Sequence, residues 1–157
     1  MTHHWTKRRG EFMSNQINAK LTVIDGAVKP RRAHDDDAGL DIAIQEDTTV
    51  YPNESAYLHA GIKLDIPEGF AAHVMTRSST FRKRIQIIPS VIDSNYKGEI
   101  STIVTNTNSY PVELKRGMYL AQVVLMPCYT FSNEADNVIL PQKIRASDDD
   151  KFGSSDR

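Results

Sequence analysis

The chain has little of several features that define whole classes of protein. It contains one cysteine, Cys128, among 157 residues. No intrachain disulfide is therefore possible, which argues against a disulfide-stapled secreted scaffold and fits a reducing compartment. No apolar run approaches the roughly 18 residues that a membrane-spanning helix requires. We accordingly expect no membrane partner and, because the first residues hold no apolar core, no secretory signal.

A marked excess of charge of either sign is also missing. Nineteen basic residues stand against 20 acidic ones, for a formal net charge of −1. Proteins that bind duplex nucleic acid usually carry a strongly basic surface, so we expect no such partner. One local basic cluster stands out, namely Arg77, Arg82, Lys83 and Arg84. It is either a solvated face or a polyphosphate site.

Composition divides the chain into three parts. Residues 1–16 are polar and aperiodic, and we interpret them as a disordered leader or an expression remnant. Residues 17–144 form one β domain of sufficient length for a real core. Residues 145–157 are charged and nearly without apolar side chains, which predicts a flexible C-terminal arm. Within the domain, Cys128 ends an apolar run and is predicted to be packed rather than reactive.

The β domain reads as a series of short strands. Alternating or β-branched segments are separated by turn residues at intervals of roughly 8–12 residues, which predicts an all-β sandwich, jelly roll or barrel. The predicted strands are 20–24, 40–44, 48–51, 55–58, 61–66, 71–75, 85–88, 100–105, 112–114 and 120–126. The stretch 78–84 lacks alternation and predicts one short helix, with Ser78 or Ser79 as its N-cap.

Residues 90–100 hold the sharpest catalytic candidate. The apolar run, turn and following strand predict a β-hairpin with Asp93 at its tip. An aspartate placed there could activate a water for attack on phosphorus, or it could simply shape an Asx-turn. Tyr96, three residues later, could stack on a sugar or base, or pack across the hairpin.

Two further segments carry polar groups suited to an anion or a cation. In Arg77-Ser78-Ser79, the guanidinium could clamp phosphate oxygens beside the helix start, or the segment could be a serine cap next to a surface arginine. Gly39 allows close backbone approach, and Asp41 could orient an arginine, hold a hydrated cation or serve as a turn carboxylate.

Taken together, these segments resemble the five motifs of the trimeric dUTPase family. The resemblance covers about residues 20–157, with all five motifs in order. The matching segments are Ala38–Ile42, Arg77–Ser79, Ser90–Glu99, Gly117–Gln122 and Phe152–Ser155. It implies a distorted jelly-roll or β-clip domain with one short helix and a flexible C-terminal arm. It further implies a homotrimer with three active sites at subunit interfaces and a cytoplasmic location, in a host cell if the source is a phage or virus.

The resemblance also implies a function for each motif. Asp93 would activate the water that attacks the α-phosphorus of dUTP, releasing dUMP and pyrophosphate, which limits uracil in DNA. Mg²⁺ would be held mainly by the triphosphate, with Asp41 at most a water-mediated neighbour. The substrate-binding set implied by the motifs follows chain order. It comprises Arg77, Ser78 and Ser79 on the phosphates from a neighbouring subunit; Ser90, Val91, Ile92, Tyr96 and Lys97 around uracil and deoxyribose; Gln122 on phosphate or water; and Arg145, Phe152, Gly153, Ser154 and Ser155 in the closing arm.

The chain departs from the family pattern at several positions. Ser90 replaces a usual glycine, Tyr119 replaces a usual arginine, and Lys151 and Asp156 replace the glycines that flank the fifth motif. Arg145 lies two residues earlier than the arginine of that motif. These departures motivate an alternative, a catalytically weakened dUTP-binding regulator. A dCTP deaminase would need a glutamate placed for deamination, which the predicted hairpin lacks, and a purely structural jelly-roll protein is the fourth possibility.

Overall fold

The computed structural model describes residue 17 and residues 19–129, and apart from one short helix the regular secondary structure of this part is β-strand. Its elements are β1 Lys20–Val23, β2 Gly39–Ala43, β3 Thr48–Val50, β4 Ser55–Asp65, β5 Phe70–Thr76, α1 Ser78–Phe81, β6 Ile85–Ile87, β7 Ser90–Ile92, β8 Glu99–Asn106, β9 Val112–Leu114 and β10 Tyr119–Pro127. The prediction of an all-β, jelly-roll-like domain with one short helix is confirmed. No helix within these residues is long and apolar enough to cross a membrane.

Two four-stranded antiparallel sheets enclose the core. One has the strand order β1-β4-β8-β6 and the other β2-β10-β5-β7, while β3 and β9 pair separately. Both sheets turn β-branched side chains inward, among them Ile62 and Val104 from the first sheet and Ile42 and Val74 from the second. The alternation that predicted the strands is therefore the alternation that buries one face of each sheet.

One predicted boundary is wrong, because two predicted strands form a single strand in the structure. The predicted strands 55–58 and 61–66 are the continuous β4, which carries an irregularity between His59 and Lys63. Gly61 adopts a φ of 67°, a left-handed conformation that glycine reaches without steric cost. A bulge of this kind bends a strand without ending it, which the turn-like sequence did not reveal.

The predicted hairpin at 90–100 is wrong. β7 pairs with β5, whereas β8 pairs with β4 and β6, so the segment connects the two sheets. Ile92 and Ile100 are both buried and reach the same core from opposite sheets. The burial of both residues favours a crossing from one sheet to the other. A hairpin and a crossing have the same sequence pattern, two apolar strands around a turn, so the sequence did not distinguish them.

Two smaller expectations are also corrected. Helix α1 begins after Arg77, which is its N-cap and makes no side-chain capping bond, so neither Ser78 nor Ser79 caps it. Cys128 is exposed rather than packed, because β10 ends one residue earlier, at Pro127. Its backbone N–H still donates to Gly69 O at 2.8 Å, but its side chain lies outside the core.

Asn106 gives a stability prediction for the fold. Its fully buried amide donates to Val50 O at 2.9 Å and to Tyr110 O at 2.8 Å, and it accepts from Asn108 N at 2.9 Å. Asn106→Leu should lower the free energy of unfolding by about 3 kcal/mol, because three backbone groups lose a partner. Denaturant titration measures the change. Thr107→Val, which removes a more exposed bond to Arg84 O, is the control and should cost under about 1 kcal/mol.

Candidate functional site

The candidate site residues, most of them predicted from the sequence, fall into two groups. The first, called here the arginine cluster, consists of Arg31, Asp41, Arg77, Tyr119 and Gln122. The second, the 93–98 turn, joins β7 to β8 and begins at Asp93. Each group is built by the packing of its own strands, so each is considered separately before their relation.

An ion pair between Arg77 and Asp41 lies at the centre of the arginine cluster. Arg77 Nε is 2.6 Å from Asp41 Oδ1, and Arg77 Nη1 donates to Tyr119 O at 2.7 Å. The Asp41 side chain is only 10% exposed and that of Arg77 21%. Removing one partner of a buried pair typically costs about 3–5 kcal/mol, against about 0–1 kcal/mol for a surface pair. The contact therefore fixes the direction in which Arg77 points.

Gln122 lies directly beside this pair. In the register of the sheet, Gln122 of β10 faces Asp41 on one side and Met75 on the other, and its Nε2 donates to Thr76 O at 3.4 Å. A Cβ added at Gly39 would lie 2.1 Å from Gln122 Oε1. Gly39 thus leaves the space that the Gln122 amide occupies, and its φ is not among the positive glycine φ angles.

Ser78 and Ser79 extend the arginine cluster towards solvent. Both are exposed at the start of α1, and the first intrahelical bonds, from Thr80 N and Phe81 N to Arg77 O, begin after them. A four-residue helix contributes little dipole. Anion binding here therefore depends on the Arg77 guanidinium and the serine hydroxyls and N–H groups, and not on the helix as a whole.

The analysis of the sequence missed Arg31 as a member of the cluster. Its backbone exchanges two hydrogen bonds with Asp41, of 3.0 and 2.8 Å, and its Nε lies 3.7 Å from Asp41 Oδ2. Its guanidinium carbon stands 4.0 Å from the centre of the Tyr119 ring. In the sequence, Arg31 is simply one of two adjacent arginines, with Arg32. Such a pair predicts no contact with a strand residue ten positions later.

The 93–98 turn presents an exposed carboxylate above a buried ring. Asp93 is exposed immediately after β7, and Tyr96 N donates to Asp93 O at 3.1 Å to close the turn. Tyr96 is buried against the core, where its hydroxyl donates to Glu99 O at 2.9 Å. The packing interpretation of Tyr96 therefore holds for most of its ring.

Lys97 holds the far side of the turn. Its Nζ donates to Asp65 Oδ1 at 2.6 Å and to Ser94 O at 3.1 Å. The hydrogen bond and charge of Lys97 hold the pKa of the Asp65 carboxyl below its ordinary value. These contacts tie the turn to the end of β4 and so limit the positions that Asp93 can take.

The register of β5 sets the relation between the two groups. Ile92 pairs with Ala72, so Asp93 lies level with the start of β5, whereas Arg77 follows its end. At a rise of about 3.3 Å per residue, the two positions are about 20 Å apart along the strand. The fold brings together one set of predicted site residues at the end of β5, namely Asp41, Arg77, Ser78, Ser79 and Gln122. The segment from Ser90 to Lys97 lies towards the other end of β5, so the two sets are apart within one chain.

Comparison with known proteins identifies the family. The sequence profile described as dUTPase matches residues 26–155. The chain belongs to the dUTPase family. A deoxyuridine 5'-triphosphate nucleotidohydrolase of Clostridium novyi (strain NT) is 36% identical over 111 residues, which are 69% of this chain and 78% of that protein. One of the same name from Tropheryma whipplei (strain Twist) is 34% identical over 140 residues, or 86% of this chain and 93% of its relative.

A solved dUTPase structure shares the fold. It is a mutant dUTPase from phage phi11 of S. aureus, described for its coordination of a structural Mg(II) ion. It matches with a TM-score of 0.69 and 21% identity, over 82% of this chain and 99% of that chain. Within the described residues of the present chain, no three His, Cys, Asp or Glu side chains cluster in a way that could hold a metal ion.

Two departures from the dUTPase motifs have structural explanations. Ser90 occupies the position of a usual glycine but starts β7 in regular pairing with Val74, and positive φ angles in the described non-glycine residues occur only at Asn53 and Arg84. Its hydroxyl donates to Ile88 O at 3.3 Å. Tyr119 occupies the position of a usual arginine, yet its carbonyl still anchors Arg77. The fifth-motif residues Arg145, Phe152, Gly153, Ser154 and Ser155 lie outside the described residues.

Gly39→Ala tests the close approach of Gln122. The new methyl group should push the flexible end of Gln122 away from Thr76 O, shifting its side-chain amide resonances in NMR spectra. The unfolding free energy should change by less than about 1 kcal/mol, since a side-chain end can move. Gly69→Ala is the control for the Gln122 resonances alone, because no atom lies within 4 Å of its added Cβ, whereas its φ of 81° strains any side chain and makes it unsuitable as a stability control. If the Gln122 side-chain resonances do not move in Gly39→Ala, the close approach of the Gln122 amide to Gly39 is contradicted.

Proposed function

We propose that this chain hydrolyses dUTP to dUMP and pyrophosphate. Membership of the dUTPase family supports the substrate. The observation that carries the proposal is the Arg77 guanidinium, fixed by Asp41 and Tyr119 beside two exposed serines. Such a group suits a triphosphate, because a preoriented guanidinium makes short, charge-assisted bonds to phosphate oxygens.

Asp93 is proposed as the general base. An exposed aspartate on a turn held by Lys97 can accept a proton from a water that attacks the α-phosphorus. The water oxygen then bonds to that phosphorus as the bond to the bridging oxygen of the β-phosphate breaks. Pyrophosphate leaves and dUMP remains. Positioning and charge neutralisation supply most of the rate enhancement in such displacements.

The nucleoside is proposed to bind along β7. This strand is the outermost in its sheet, paired with β5 alone among the described strands. An outer strand presents backbone N–H and C=O groups to one side, which suits the edge of a uracil ring. Ser90, Val91 and Ile92 would read that edge, Tyr96 would lie against the deoxyribose, and Lys97 would hold the turn.

The phosphates are proposed to bind the arginine cluster. Arg77 Nε and Nη1 each contact an acceptor within the protein, and two of the five guanidinium N–H groups are used in this way. The remaining N–H groups of Nη1 and Nη2 would bind phosphate oxygens. Ser78 and Ser79 would add hydroxyl and backbone donors, and Gln122 would bond a phosphate or an ordered water. The residues divide the substrate between them, with its charged end at the arginine cluster and its base at β7.

Magnesium fits this site as an ion bound to the triphosphate. Asp41 is one carboxylate with a guanidinium on each side, and two nearby positive charges disfavour direct binding of a cation. Mg²⁺ prefers phosphate and water oxygens, where it offsets charge and helps orient the α-phosphorus. Asp41 would therefore contact the ion through water at most.

We further propose a homotrimer in which neighbouring chains complete each site. The separation of about 20 Å along β5 between the backbone positions of Asp93 and Arg77 supports this, because it keeps the proposed base away from the proposed phosphate-binding group of the same chain. Residues 145–157 would form an arm that closes over the nucleotide with Arg145, Phe152, Gly153, Ser154 and Ser155. Residues 1–16 remain a proposed leader before the domain 17–144, and the cytoplasm is the proposed location.

Asp93→Asn tests the proposed base. Pyrophosphate release should be measured with dUTP and Mg²⁺, with dCTP, dTTP and UTP in parallel. The wild-type chain should act on dUTP alone, and kcat should fall at least about 100-fold in Asp93→Asn, because the amide accepts no proton. Asp25→Asn, on an exposed turn after β1, is the matched control. Binding of dUTP without turnover by the wild type would instead favour the regulator hypothesis.

Subunit complementation tests the shared site. Asp93→Asn and Arg77→Gln chains, each nearly inactive, should be unfolded together, refolded as a mixture and assayed. If each site takes these residues from different chains, random mixing at equal amounts should restore about one quarter of wild-type activity. Mixing the two variants without unfolding is the control. No recovery after mixed refolding would show that both residues act from the same chain.

A further inference from the structure

We propose that Arg31 is a positioning residue for the phosphate-binding guanidinium of Arg77. It acts through the two groups that anchor Arg77, namely the Asp41 carboxylate and the Tyr119 residue. This inference rests on the proposed function, since it assigns a role within the same site.

The backbone fixes Arg31 beside Asp41. Arg31 N donates to Asp41 O at 3.0 Å, and Asp41 N donates to Arg31 O at 2.8 Å. This isolated antiparallel bridge places the two side chains next to each other at the outer edge of β2. The position of Arg31 is therefore set by the sheet, and not by a long flexible loop.

The two arginines divide the Asp41 carboxylate between them. Oδ1 pairs with Arg77 Nε at 2.6 Å, while Oδ2 is buried without a hydrogen bond and has Arg31 Nε at 3.7 Å. Without Arg31, a buried oxygen loses its nearby positive charge. The carboxylate could then rotate to satisfy Oδ2, and the short contact with Arg77 would loosen.

Arg31 also contacts the second anchor. Its guanidinium stacks on the Tyr119 ring at 4.0 Å, and the Tyr119 hydroxyl donates to Lys29 O at 2.9 Å. The carbonyl of the same tyrosine accepts from Arg77 Nη1. A cation over an aromatic face is attracted by the ring, so the stack holds the residue on which Arg77 rests.

The stack also accounts for the changed fourth motif. Tyr119 removes a guanidinium from β10, and Arg31 brings one to the ring of that tyrosine from the segment before β2. Two guanidinium groups around one carboxylate keep a net positive charge for the triphosphate. With a neutral residue in place of Arg31, Asp41 and Arg77 together would carry no net charge.

Arg31→Gln tests this role in the full-length chain. Because the stack and the ion pair are both lost, KM for dUTP should rise about 10-fold while kcat changes less than about 3-fold. Arg32→Gln is the matched control, since Arg32 is exposed and bonds only weakly to Asp35 O at 3.4 Å. An Arg31→Gln enzyme with the KM of the wild type would overturn the assignment.

A double-mutant cycle distinguishes positioning from direct contact with substrate. In an Arg77→Gln background, Arg31→Gln should weaken binding less than about 2-fold further, since its effect passes through Arg77. An undiminished 10-fold effect would show that Arg31 touches the substrate itself. If Arg31→Gln does not fold, Arg31→Met replaces it, because methionine keeps an unbranched side chain but has neither the charge nor the planar group that stacks. Arg31→Met with wild-type KM would equally contradict the proposal.

A non-hydrolysable α,β-imido analogue of dUTP separates this inference from the proposed function. Its dissociation constant, measured by calorimetry for the same variants, should rise about 10-fold in Arg31→Gln and stay constant in Arg32→Gln. An inactive wild type would refute hydrolysis, yet the calorimetric series would still test Arg31. Equal affinity of wild type and Arg31→Gln for the analogue would refute the role of Arg31 alone.

Discussion

The buried ion pair between Arg77 and Asp41 is the contact on which the arginine cluster depends. A guanidinium at the end of a strand would ordinarily sample many rotamers. Here the 2.6 Å contact to Asp41 and the 2.7 Å bond to Tyr119 O use two of its three nitrogens. Because β2, β10 and β5 are hydrogen-bonded in that order, the three residues are held by one sheet. The entropic cost of ordering the arginine is met during folding rather than on binding.

The same sheet keeps the two groups of candidate site residues apart within one chain. β7 pairs with β5 in a register that places Asp93 near the start of β5, and Arg77 follows its other end. Neither group can approach the other without breaking strand pairing that buries Ala72, Val74 and Ile92. The arrangement that fixes Arg77 so firmly therefore also separates it from Asp93, and this separation is the reason for proposing that neighbouring chains complete the site.

Local patterns predicted the parts of this fold that depend on local causes. Strand positions followed from alternation, as at Thr48–Val50 and Val112–Leu114. Motif residues such as Asp93 and Arg77 predicted the candidate site segments, and their roles stay predictions. Pairing between distant strands was beyond reach. The crossing at 90–100 has the sequence of a hairpin, and Cys128 follows an apolar run whose strand ends one residue earlier. Arg31 and Asp41 are neighbours because of an isolated antiparallel β-bridge, which the local sequence around either residue does not predict.

Motif identity and site chemistry separate at Tyr119. A motif records which side chain stands at a position, whereas Arg77 requires a carbonyl at that position, and any residue supplies one. The side chain is then available for a different task, and a tyrosine ring can hold a guanidinium that arrives from another segment. At Ser90, likewise, the extended backbone of β7 accepts a side chain where the family usually has none. Such departures should therefore be judged by the groups they place in space, because a missing motif residue need not be a missing interaction.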